Sequence, residues 1–125
     1  MIPFLDPTNI PAKLRLAAVP EAAGEARSFV RSVLREHPRL DDAVLSVSEL
    51  VTNVVRHGPP DGGVEVLIAR QEAAFRVSVH QKTGTFRIDR SPREGVGGLG
   101  LMILEKIADA WGLDNASGVW FEIRD

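Results

Sequence analysis

Between Ser48 and Gly58 the chain reads Ser-Glu-Leu-Val-Thr-Asn-Val-Val-Arg-His-Gly, which sets Glu49, Asn53 and His57 at successive four-residue steps. On an α-helix each such step turns the side chain by about 40°, so the three share a stripe about 80° wide. A carboxylate and an amide oxygen one turn apart are hard donors suited to Mg²⁺, whose shell is completed by waters and substrate phosphates. The same glutamate could instead orient or deprotonate a nucleophile. A solvated helix face is the plainer alternative. Leu50, Val51, Val54 and Val55 argue against it, because they make the helix apolar on most of its circumference. Polar groups on a mostly buried helix cost free energy unless something compensates them.

A second segment with chemical capacity is Gly95-Val-Gly-Gly-Leu-Gly100, directly before a predicted helix. Glycines let the backbone approach phosphate oxygens, and free N–H groups at a helix start favour anions. Gly95, Gly97 and Gly100 spell the dinucleotide fingerprint, but a Pro/Arg-rich loop precedes them where that motif requires a strand. A hinge with tight helix packing would use the same glycines. Lys82, Arg87, Arg90 and Arg93 give the preceding loop a basic character that suits phosphates, an acidic protein surface or plain solvation.

The elements that must position these residues follow from periodicity. Residues 1–12 contain Pro3, Pro7 and Pro11 and read as an extended arm, and residues 13–125 as one domain. Leu14 to Val19 reads as a strand. Ala22, Ala26, Phe29, Val30, Val33 and Leu34 predict a helix over 21–36, stopped by His37-Pro38. Asp41 or Asp42 is the expected N-cap of a second helix running to His57. Val64 to Arg70 and Phe75 to His80 alternate in hydrophobicity and form an expected antiparallel hairpin. Gln81 to Gly98 reads as a long lid or binding loop. Leu101, Leu104, Ile107, Ala108 and Trp111 predict a third helix ended by Gly112, and Val119 to Ile123 a closing strand. The order predicts an α/β two-layer sandwich, helices over one largely antiparallel sheet.

Composition narrows the function. The 125 residues, 44% hydrophobic and 26% charged, are those of an ordinary globular domain with a core of its own. With no cysteine there are no disulfides or thiolate metal sites, and His37, His57 and His80 form no recognisable metal spacing. The net charge of −2 speaks against a dedicated nucleic-acid binder. Without a membrane-length apolar run or a signal-peptide pattern, the expected location is the cytoplasm.

In this order the motifs resemble a known family. Ser48 to Gly58 is similar to the N-box of the GHKL superfamily of histidine kinases, Hsp90, gyrase and MutL, and most similar to the small anti-sigma-factor serine kinases of partner-switching systems. Gly95 to Leu101 resembles the glycine box that closes the family's ATP lid, and Ala110-Trp111-Gly112 with Gly118 to Glu122 its closing segment. The resemblance implies the Bergerat ATP-binding fold, three helices on a mixed, mainly antiparallel sheet. Residue by residue, it implies Asn53 as the Mg²⁺ ligand and Glu49 as general base or water-orienting residue. His57 would approach the phosphate or sugar side of ATP, and Gly95, Gly97, Gly98, Leu99 and Gly100 would cradle phosphates. As partners it implies a sigma factor and/or an anti-anti-sigma (STAS-type) protein, and it implies a homodimer.

One position departs from the pattern. Where the family places the aspartate of its Asp-x-Gly-x-Gly box, which receives the adenine amino group, this chain has Gln81, and Thr83 and Thr85 replace the glycines. A carboxamide still accepts an N–H but without charge assistance. Two functions of different class follow: an ATP-dependent protein serine kinase, or a degenerate pseudokinase that acts only as a protein-binding module.

Overall fold

The computed structural model describes residues 12–59, 62–82, 99–115 and 117–125. Its elements in order are β1 (Ala12–Ala17), α1 (Ala22–Leu34), α2 (Leu40–His57), β2 (Gly63–Gln71), β3 (Ala74–Gln81), α3 (Leu99–Ile107), β4 (Ala110–Asp114) and β5 (Gly118–Arg124). The five strands form one sheet in the order β1-β2-β3-β5-β4, and all four pairings are antiparallel. The expected two-layer α/β sandwich is therefore present, with a sheet that is antiparallel in every described pairing where a mixed one was expected.

Alternation builds the sheet. Val64, Val66, Ile68, Val77, Val79, Val119, Phe121 and Ile123 are buried on the face under the helices, while Glu65, Arg76, His80 and Glu122 point to the other side. The β2–β3 hairpin turns through Glu72 and Ala73, and its last pair is Gln71 with Ala74. In α1 the buried Ala22, Ala26, Val30 and Val33 form one stripe whose small first residues admit the neighbouring helix closely. Val44, Val47, Val51 and Val54 do the same for α2, as its periodicity predicts.

Three local expectations are corrected. The helix α2 starts at Leu40 after Arg39, which makes no side-chain cap, so Asp41 and Asp42 lie inside the first turn and act there on the helix dipole. The first strand begins at Ala12 and ends at Ala17, earlier than the Leu14 to Val19 reading, because its register is set by pairing with β2. The third helix ends at Ile107, and Trp111 and Gly112 belong to the edge strand β4, paired with Phe121 and Trp120. Arg39 accounts for that stop: its guanidinium donates to the carbonyl of Ile107 and to the Asp109 carboxylate, which also accepts the Arg124 N–H at 2.7 Å.

Candidate functional site

The site is assembled where the end of α2, the end of β3 and the start of β5 meet. Gly58 closes α2 with extended backbone, and its N–H donates to the Val54 carbonyl at 2.8 Å. The Gln81 N–H donates to Ser117 at 2.7 Å, and the next residue, Lys82, donates to the Gly63 carbonyl at 2.9 Å. Alternation along β3 sends His80 to the outer face and Gln81 to the helix side. There the Gln81 side chain, only 5% exposed, lies against Gly58: a Cβ on that glycine would sit 3.3 Å from its Oε1.

On α2 the polar stripe is not a solvated face. Asn53 is 8% exposed, and Glu49 and His57 are half-buried. The Nε2 of His57 is shielded from solvent with no hydrogen-bond partner among the described residues, and so is the Oγ of Ser46. Ser46 stands seven residues before Asn53, hence on the same stripe, and the sequence reading missed it. Its only signal there was a small polar residue among valines, which helix packing uses just as often. A buried polar group without a partner costs about 1–3 kcal/mol, so an orphaned ring nitrogen beside Asn53 is a place where a ligand gains.

The structure brings Glu49, Asn53 and His57 onto one flank of α2, and places Gln81 against the residue that follows His57. Leu99 and Gly100 open α3, which packs on α2. Gly95, Gly97 and Gly98, together with Thr83 and Thr85, lie outside the described residues. Among the described residues no three His, Cys, Asp or Glu side chains converge as a metal cluster. A cation held at Asn53 would take its remaining ligands from water and phosphate, which is how Mg²⁺ is usually bound.

The sequence model of the histidine kinase-like ATPase domain matches residues 11–120, from the first strand through to Trp120. The chain belongs to that family. Its fold is similar to that in the crystal structure of the RsbU and RsbW domains of Rv1364c from Mycobacterium tuberculosis, at 25% identity and a TM-score of 0.68. That alignment covers 91% of this chain and 31% of the mycobacterial one, so the likeness is to one part of a longer protein. No curated protein sequence matches the chain.

Glu49, Asn53 and His57 stand on one flank of α2, and β3 ends in the buried carboxamide of Gln81. Both lie on regular elements, α2 and β3. Among the described residues no helix is long and apolar enough to cross a membrane.

Proposed function

We propose that this histidine kinase-like ATPase domain is an anti-sigma-factor-like regulator that binds Mg·ATP and a protein partner, a sigma factor and/or an anti-anti-sigma (STAS-type) protein. The observation that carries the reading is the orphaned Nε2 of His57 on the same buried flank as Asn53. Asn53 would hold Mg²⁺ through its amide oxygen, and the ion would neutralise phosphate charge. Glu49, one turn earlier and half-buried, would accept a proton from, or orient, an attacking hydroxyl. The similarity to a chain that contains an RsbW domain supports the anti-sigma branch named from the N-box.

Gln81 favours a second reading. A neutral amide at the adenine position weakens nucleotide recognition, and a pseudokinase that only sequesters its partner would tolerate it. Calorimetry with Mg·ATP decides between them, on the wild type, Asn53→Ala and Gln81→Asp. Micromolar binding by the wild type that is lost in Asn53→Ala supports the nucleotide reading. Binding by Gln81→Asp alone supports a decayed site. Silence in all three, with a sigma factor still captured, leaves the protein-binding module.

A further inference from the structure

Gln81 is connected to the outer face of the sheet by a short series of hydrogen bonds. His80, the residue before it, points to that face and lies against Gly118, where a Cβ would sit 2.6 Å from its Nδ1. The bare glycine lets the ring pass from β3 over β5 to β4, where Nε2 meets the Asp114 carboxylate at 3.0 Å. Its Nδ1 is 3.4 Å from the Ser117 hydroxyl. The Ser117 carbonyl in turn accepts the Gln81 backbone N–H at 2.7 Å.

We propose that His80 is a positioning residue for Gln81 and that its ionisation moves the end of β3 through Ser117. The proposal rests on the reading of Gln81 as the residue that meets the base. An ionised Asp114 can only accept, so Nε2 carries a proton in either charge state of the ring. The neutral ring offers Nδ1 as an acceptor, and the Ser117 hydroxyl donates to it over a long 3.4 Å. Protonation reverses that bond: the ring donates and the Ser117 oxygen accepts. Charge-assisted bonds are shorter, about 2.7–2.9 Å, so the contact closes by about 0.5 Å. Ser117 lies in the short turn between Asp114 and Gly118, whose first residue, Asn115, is left-handed at φ 61°. A turn this short gives Ser117 little freedom to follow the ring without carrying its carbonyl along.

The charges around the ring, among the described residues, come from all five strands. Glu65 stands opposite on β2, with Arg15 and Lys13 of β1 on its carboxylate. Arg76 of β3 is bound to Glu122 of β5, and Lys82 lies on the same side with its stem over Gly63. Two carboxylates, Asp114 and Glu65, thus flank the imidazole. His80 and Asp114 line an open groove of about 220 Å³, through which solvent protons reach the ring.

The test is an NMR titration of the whole, nucleotide-free chain over about pH 5–8, where imidazoles ordinarily change charge. It follows the side-chain amide pair of Gln81, which lies on the opposite face of the sheet from the ring. That pair shifts with the midpoint of the His80 ring signals. His57 precedes Gly58, on which Gln81 rests, so its titration is the competing source. His80→Gln separates the two, because it removes the charge and keeps a hydrogen-bonding side chain: the Gln81 shift disappears. Ser117→Ala leaves the His80 titration in place and also removes the Gln81 shift, which covers the event that His80→Gln fails to fold. A Gln81 pair indifferent to pH, or a shift that survives either substitution, overturns the proposal. With Mg·ATP added, the dissociation constant relative to that of His80→Gln follows the same midpoint. A flat ratio overturns the role of His80 at the nucleotide site. A Gln81 shift with no Mg·ATP binding at all ends the nucleotide reading and leaves His80 as the residue that positions Gln81.

Discussion

The Gln81 carboxamide rests on Gly58, so the last residue of β3 and the cap of α2 are in direct packing contact. A Cβ at Gly58 would come within 3.3 Å of Gln81 Oε1 and 2.6 Å of the Val54 carbonyl oxygen. The φ of −81° is open to any residue, so the restriction is one of space. Gly58→Ala must push either the helix end or the strand end away. It is expected to cost about 1–3 kcal/mol, the range for overpacked sites. Urea unfolding reads this as a lower midpoint at constant slope. An unchanged midpoint would mean that the junction yields freely and does not fix the Gln81 side chain.

The same contact governs what Gln81→Asp can do. Charge-assisted hydrogen bonds contribute about 1.5–3 kcal/mol against about 1 for neutral ones. Restoring a carboxylate should therefore raise Mg·ATP affinity between a fewfold and thirtyfold, since about 1.4 kcal/mol is a factor of ten. Mg·GTP, whose base presents a carbonyl at the position of the adenine amino group, should not gain. Equal gains for both nucleotides would show that the carboxylate acts through long-range charge and not by reading the base.

Helix α2 was legible because its valines repeat at helical spacing, and the hairpin because its residues alternate. Both signals are local. The end of α3 was not legible, since Leu104, Ile107, Ala108 and Trp111 continue the helical period without a break. What interrupts it comes from elsewhere in the chain: Arg39 takes the Ile107 carbonyl, Asp109 takes the Arg124 N–H, and Trp111 is claimed by Phe121 across the sheet. Within the site, the polar stripe could be read from spacing, but the meeting of Gln81 with Gly58 depends on how β3 runs beneath α2. No pattern in either segment announces it.

The orphaned nitrogen of His57 predicts a conflict between stability and binding. His57→Phe replaces the imidazole with a ring of similar shape that has no unmet donor or acceptor. The ligand-free protein should gain about 1 kcal/mol, the lower end of the cost of an unsatisfied buried group. Mg·ATP binding should weaken in the same variant, the pattern expected where a site is kept at the expense of the fold. Thermal unfolding with and without nucleotide measures both effects. A variant that loses stability and keeps its affinity would show that the nitrogen has no ligand to meet.

A final prediction concerns acid. Asp109 accepts the Arg124 backbone N–H, and that hydrogen bond, with the Arg39 guanidinium beside it, holds its carboxyl below the ordinary aspartate range. A carboxylate whose folded-state pKa is lowered stabilises the fold fully above its unfolded pKa, and the contribution disappears as pH falls through the folded value. The contact lies near the surface, so its size should stay below about 1 kcal/mol. Asp109→Asn is thus expected to be slightly less stable than wild type at neutral pH and equal to it in strong acid, with a shallower acid limb. The limb should not vanish, because Glu65, hydrogen-bonded by Arg15, and Asp125, hydrogen-bonded by Arg70, are lowered in the same direction. Urea midpoints taken at intervals down the acid range would show the two curves converging. Curves that stay parallel would mean that the Asp109 contacts stabilise the fold without depending on its charge.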